Sequence, residues 1–255
     1  MFISRFSLTL LGAATVSLFM GTANSLRAES AQSPTVVELF TSQGCYSCPP
    51  AEAYLGKLSK RPDVVALEFH VDYWDDLVYG SAGKWKDPFS APEHTRRQRL
   101  YNVEIRGKAG VYTPQMVIGG NLETVGSQEN RVEKAISLMA GEVPSPLSVR
   151  VENGNAGTLN VRIVGRSAET AGIWIVRFHR NVKTRVRSGE NKGKSLTSHN
   201  IVTNLQKIGE WQGEPLSISV TDSVVDTNQG CAILVQKVPP GPILGAAYCP
   251  GGSSS

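Results

Sequence analysis

The apolar positions change period several times along the chain, and each change marks an element. Val36 to Phe40 is a short apolar run that predicts a buried strand, with Glu38 inside it. Thr41 to Gly44 turns the chain. Pro49 to Lys60 then carries Ala53, Leu55 and Leu58 at helical spacing, with its prolines confined to the first turn, where a missing N–H breaks no helical bond. Val64 to Val71 alternates, placing Val65, Leu67, Phe69 and Val71 on one strand face. The segment from Asp72 to Phe89 has no period and is rich in Trp, Tyr, Asp and Gly. Ser90-Ala91-Pro92-Glu93 predicts a capping box that opens a helix to about Tyr101. Gln115 to Ile118, the Gly119-Gly120 turn and Leu122 to Val125 predict a hairpin, and Gln128 to Met139 a helix with Val132, Ala135, Ile136 and Met139 in phase. The order is βαβαββα, with early strands parallel through their helical crossovers and the last two antiparallel.

Residues 141–146, with one glycine and two prolines, predict a linker. Beyond it the texture becomes that of short strands at Leu147 to Val151, Thr158 to Val164, Ile173 to Phe178, Leu216 to Val220 and Cys231 to Gln236, with Gly and Asn clustered between them. That pattern predicts an all-β, sandwich-like C-terminal domain over 147–250 and a flexible tail at 251–255.

At the other end, Arg5, the uncharged apolar run Leu8 to Met20 and the small residues before Ala28 predict a secretory signal peptide over 1–28. The run is shorter than the ~20 residues of a spanning helix, so no stable membrane insertion is expected after cleavage. Composition adds little: 40% apolar residues supply a core, and a net charge of +4 without a basic motif gives no reason to expect nucleic-acid binding. Arg96, Arg97 and Arg99 read as a solvated helix face. Export, to the periplasm or beyond, places the four cysteines where disulfides persist.

Cys45-Tyr46-Ser47-Cys48 follows a strand and opens a helix. Helix N-terminal amides favour a thiolate at Cys45, and Cys48, one turn on, is placed to close or resolve a disulfide. Residues 35 to 139 resemble a thioredoxin fold. The resemblance matches Cys45 to the nucleophilic cysteine, Cys48 to the resolving one, and Thr113-Pro114 to the cis-proline loop that presents a backbone edge to a bound peptide. It places Glu38 near the buried acid that serves the resolving cysteine; the competing reading is a strand-end carboxylate in solvent. Val37-Glu38-Leu39-Phe40-Thr41-Ser42-Gln43-Gly44-Cys45 and His70-Val71-Asp72-Tyr73-Trp74-Asp75 resemble an uncharacterised secreted bacterial family, domain of unknown function 1223. That resemblance implies a thioredoxin-like domain (33–140, with an insertion at 72–100) joined to a β domain, and names no substrate. The Tyr46-Ser47 dipeptide, Pro49-Pro50 and the insertion depart from ordinary thioredoxins, and the dipeptide leaves the direction of electron flow open.

These residues predict an exported thiol–disulfide oxidoreductase acting on protein or small thiol substrates, recycled by a redox partner and needing no cofactor beyond its own disulfide. Tyr46, Thr113 and Trp74 are the candidate substrate contacts, with the aromatic loop 72–89 capping the site. Two rivals stand beside this reading. One is an inert disulfide bracing a loop. The other is a binding protein, docking a partner or carrying copper or zinc on Cys45, Cys48 and His70. Cys231 and Cys249, equidistant from Pro240 in a Pro-rich turn, predict a structural disulfide across a hairpin.

Overall fold

Strand β1 (Thr35–Thr41) is buried along almost its whole length because both faces of the sheet are covered there. The computed structural model describes residues 1–2, 33–141, 147–221, 228–238 and 240–251. All but the first two residues of the expected leader, residues 142–146 of the expected linker and 252–255 of the tail lie outside them. The N-terminal half contains α1 (Pro49–Leu58), β2 (Val64–His70), α2 (Pro92–Arg106), β3 (Gln115–Ile118), β4 (Leu122–Val125) and α3 (Glu129–Gly141). It is followed by β5 (Ser148–Asn153), β6 (Thr158–Val164), β7 (Ala171–Arg185), β8 (Ser195–Trp211), β9 (Leu216–Thr221), β10 (Gln229–Gln236) and β11 (Ile243–Tyr248).

The large sheet has eight strands in the order β11-β10-β7-β8-β2-β1-β3-β4. β1 and β2 are parallel, with Thr35 opposite Val64 and Thr41 opposite His70, and β3 runs antiparallel to β1 from Val37–Ile118 to Phe40–Gln115. β8 lies parallel beside β2, where Glu68 faces Ile201. The C-terminal strands therefore extend the N-terminal sheet instead of forming a separate domain, and Ala31–Ser255 is one compact unit. A sandwich does form, but locally: β5, β6 and β9 make a three-stranded sheet, and Leu159, Val161 and Ile163 pack with Ile173, Ile175, Ile233 and Val235 of the large one.

Strand alternation sorts the core into two faces. Val37, Leu39, Ala66, Met116 and Ile118 meet α1 and α3 through Leu55, Leu58, Val132 and Ile136. Val36, Phe40, Val65, Leu67 and Phe69 meet Tyr101 of α2 on the other side, together with Val176, Phe178, Val202 and Leu234 from β7, β8 and β10.

Two details differ from the sequence expectation. Helix α2 is capped by Ala91 without a side-chain bond, because the Ser90 hydroxyl donates to Asp75 Oδ2 at 2.6 Å instead. The helix runs on to Arg106 and stops at Gly107, whose φ of 67° suits a residue without a Cβ. Of the three arginines expected in solvent, Arg97 is buried: it points at the sheet and bonds Glu38 Oε1 at 2.9 Å.

Candidate functional site

The chain leaves β1 through a turn in which Cys45 N–H donates to Ser42 O at 3.0 Å and Gly44 N–H to Ser42 Oγ at 3.1 Å. Cys45 and Cys48 form a disulfide, S–S 2.08 Å with Cα atoms 5.4 Å apart. Cys48 is the N-cap of α1, its carbonyl accepting from the N–H of Ala51 at 2.9 Å and Glu52 at 3.2 Å, while Pro49 and Pro50 fill the first turn. The positive end of the helix therefore bears on the disulfide. Both cysteines are 0% exposed, whereas Tyr46 between them is 66% exposed. In this closed arrangement no sulfur is presented to a substrate.

The loop after β2 encloses the turn. The N–H of Gln43 donates to Asp87 Oδ2 at 2.8 Å, and Trp85 Nε1–H donates to Gln43 Oε1 at 3.3 Å. Trp74 lies against Gly44, where an added Cβ would meet the Trp74 Cβ at 3.4 Å. Its Nε1–H reaches across to the Thr113 hydroxyl at 2.8 Å, and its ring stacks on Tyr79 at 6.2 Å. The Thr113–Pro114 peptide is cis. Trp74 thus ties the cysteine turn to the Thr113–Pro114 loop, and the candidates Cys45, Cys48, Trp74 and Thr113 share one locality with Tyr46 exposed beside them.

Glu38 and His70 belong elsewhere. Glu38 shares the strand face of Val36 and Phe40, opposite α1, and its carboxylate is taken by Arg97 and by the Tyr101 hydroxyl. It is neither a solvent-facing strand-end acid nor free to serve Cys48. His70 Nδ1 lies 2.7 Å from Asp87 Oδ2 and Nε2 2.8 Å from Glu68 Oε1, all three side chains fully buried. Burial alone would push the imidazole down, but Asp87 and Glu68 hold it well above its usual range. Asp87 is correspondingly held below the carboxylate range: the His70 imidazolium and the N–H groups of Gln43 and Phe89 outweigh its burial. With both ring nitrogens engaged, His70 does not join the cysteines as a third ligand. Among the described residues no group of three or more His, Cys, Asp or Glu side chains is arranged to hold a metal.

The acid that does lie behind Cys48 is Glu52, one helical turn further along α1 and fully buried. It accepts from the Thr41 hydroxyl at 2.8 Å. Burial, then the charge of Glu68, raises its carboxyl to about 8, with His70 pulling the other way.

The β7–β8 hairpin, residues 186–194 at its tip, folds over the cysteine turn. Asn191, fully buried, donates its side-chain N–H groups to Gln43 O at 2.9 Å and Cys45 O at 2.8 Å. Glu190 Oε2 accepts the Tyr46 N–H at 2.8 Å, and Lys194 Nζ sits 4.3 Å from the Tyr46 ring centre. Gly189 N–H donates to Ala82 O at 2.9 Å. At the far edge of the large sheet Cys231 and Cys249 form the second disulfide, Cα atoms 5.3 Å apart on β10 and just beyond β11.

The family described as "Protein of unknown function (DUF1223)" matches residues 36–236. This chain belongs to that family. The crystal structure of protein AGR_C_4864 from Agrobacterium tumefaciens is similar to this DUF1223 chain, with 31% identity and a TM-score of 0.74 over 87% of this chain and 96% of that one. HBP35 of Porphyromonas gingivalis shares the fold at 14% identity and a TM-score of 0.52, over 85% of this chain and 74% of that one. No curated protein matches the DUF1223 chain.

Sequence reasoning missed Glu52, Asp87, Glu190, Asn191 and Lys194 in this DUF1223 protein. Glu52 carried a usable signal, since a residue four after an N-terminal cysteine shares its side of the helix. Glu190 and Asn191 carried none, being 144 and 146 residues from their partners Tyr46 and Cys45.

Proposed function

We propose that the chain is an exported thiol–disulfide oxidoreductase built on a thioredoxin-like unit, β1 to α3, with Cys45 as nucleophile and Cys48 as resolving cysteine. The observation that carries the reading is the Cys45–Cys48 disulfide at the mouth of α1, tied through Trp74 to the Thr113–Pro114 loop. The β2-β1-β3-β4 order, with β1 and β2 parallel and β3 antiparallel, is compatible with that unit. Two disulfides suit an oxidising compartment, and no helix among the described residues is long and apolar enough to cross a membrane.

In the reduced protein the Cys45 thiolate attacks one sulfur of a substrate disulfide. The substrate S–S bond breaks, one substrate thiolate leaves and takes a proton, and Cys45 holds the other half as a mixed disulfide. Cys48 then gives up its proton and attacks the Cys45 sulfur. The second substrate thiolate departs and is protonated, and the Cys45–Cys48 bond closes. Two electrons and two protons pass from the cysteine pair to the substrate, and a dithiol partner running the steps backwards restores the pair. Glu52, behind Cys48, is the group to accept and return the resolving proton in place of Glu38, because a carboxyl raised to about 8 exchanges protons near neutral pH.

Turnover of a small disulfide and of a disulfide-bonded protein, with a dithiol as electron source, tests the reading. Cys45→Ala should abolish turnover, and Cys48→Ala should trap a mixed disulfide visible by mass. Full turnover in Cys45→Ala would overturn the proposal. The complete burial of both cysteines favours one rival, a disulfide that only braces the turn. Under that reading neither substitution changes any thiol chemistry and both lower stability.

A further inference from the structure

The hairpin tip at residues 186–194 lies in the segment that sequence analysis assigned to a separate domain, yet it bonds the cysteine turn directly. Asn191 bonds two carbonyls of the turn, at Gln43 and Cys45, and is itself held by Lys194 Nζ at 2.8 Å from its Oδ1. Glu190 places a carboxylate on the Tyr46 N–H, the amide that follows Cys45 in the chain. Gly189 is wedged against Trp85 of the 72–89 loop, and the Ser188 hydroxyl donates to Lys84 O. Tip and loop together close over a disulfide that is otherwise at the end of a strand and the start of a helix, where sulfurs would meet solvent.

Resting on the redox reading above, we propose that the 186–194 tip is the gate of the cysteine site and that Glu190 is a positioning residue that sets the acidity of Cys45. The argument is electrostatic and geometric. A thiolate at Cys45 needs nearby N–H groups and the helix end, and Glu190 already occupies the Tyr46 N–H with a like charge. When the disulfide is closed there is no charge on sulfur, and the carboxylate sits well. When two electrons from a dithiol reductant open the S–S bond, the dithiol becomes a disulfide and the cysteines take up two protons. A thiolate then forming at Cys45 repels Glu190. Reduction thus weakens the contacts that hold the tip down, and the site opens in the state that must meet a disulfide substrate. Other charged or titratable groups around the turn include Tyr46 within it, Arg187, Lys192 and Lys194 on the tip, Tyr79 and Asp87 on the loop, and Glu52 on α1. Of these Lys194, held at the Tyr46 ring and at Asn191, opposes Glu190.

The experiment compares the full-length mature protein with Asn191→Ala and Glu190→Gln, using mass-mapped alkylation after exposure to excess dithiothreitol under native conditions. Unfolding rates of each variant are measured in parallel, and Cys231–Cys249 serves as internal reference. Asn191→Ala should reduce at Cys45–Cys48 about tenfold faster, the effect expected from removing buried hydrogen bonds, without a matching rise in unfolding rate. In the reduced proteins, the pH profile of Cys45 alkylation by iodoacetamide should move down by roughly one pH unit in Glu190→Gln, as removal of a like charge requires. If Cys45–Cys48 opens in the native wild type but both variants reproduce its rate and its pH profile, the gate falls and the redox reading stands. If Cys45–Cys48 opens only as fast as the protein unfolds, in wild type and variants alike, the redox reading falls and the gate with it.

Discussion

Glu52 is a carboxyl that holds its proton more tightly than usual because it is buried and Glu68 stands nearby. Its folded value of about 8 lies above the usual 4.5, so across that interval the folded chain holds a proton that the unfolded chain releases. Its contribution to stability is therefore complete below the usual value and is lost as pH rises towards about 8. His70, also raised, loses its contribution in the same direction, whereas Asp87, held low, loses its contribution only as pH falls below the carboxylate range. Glu52→Gln keeps the acceptor for the Thr41 hydroxyl and removes the titration. His70 still titrates in the variant, so its melting temperature should fall less than that of wild type from about pH 6 to 9, standing roughly 5 °C above wild type at the alkaline end. Melting followed by circular dichroism across that range checks this; a parallel decline in both proteins would show that Glu52 does not titrate in the fold. The pair Glu38–Arg97 shows why residue-level inference from a strand pattern has limits. A glutamate in an apolar run announces a partner, but the alternation places it opposite α1, and its cation comes from a helix face that composition alone had consigned to solvent.

At the scale of elements, periodicity located α1, β2 and α3, an apolar run located β1, and the Gly119-Gly120 turn signal located β3 and β4. Periodicity failed on β8. Ser195–Trp211 is a strand whose burial follows no steady alternation, and Asn200 within it adopts a positive φ of 52°. The register with β7 also shifts between Ile173 and Trp174 and between Arg177 and Phe178, so no simple alternation survives along the pair. The 72–89 loop was legible by its aromatics, and Trp74 shows how one of them meets both the site and the core. Trp74 uses its indole N–H on Thr113 while its ring rests on Tyr79 and its Cβ on Gly44. Trp74→Phe keeps most of the packing on Gly44 and deletes the hydrogen bond from Trp74 to Thr113. Turnover should fall several-fold with the melting temperature changed by no more than about 3 °C, since one neutral hydrogen bond contributes ~1 kcal/mol. Steady-state kinetics beside thermal melts make the comparison; unchanged turnover with a large loss of stability would reduce Trp74 to a packing residue.

The whole molecule departs furthest from what a linear reading anticipates, because strand pairing between distant segments leaves no local mark. The composition change near 141–146 is real, yet the segments on either side of it share a sheet. Glu68 of β2 pairs with Ile201 of β8, accepts the His199 N–H at 2.7 Å, and closes the α1 side of the sheet. On the other face, Val65, Leu67 and Phe69 bury themselves partly against Val176, Phe178, Val202 and Leu234. Removing the C-terminal strands would expose that apolar face and leave β2 as an open edge, which sheets avoid. The intact chain should accordingly unfold in one calorimetric transition, with calorimetric and van't Hoff enthalpies equal, where two independent domains would give two. A chain ending at residue 141 should lack any cooperative transition. Two resolved transitions in the full chain would show that the sheet junction at β2–β8 contributes little. A single transition would mean that the hairpin tip over Cys45 is carried by the same cooperative sheet as the cysteines, so that its contacts open by local motion of the tip and not by separation of domains.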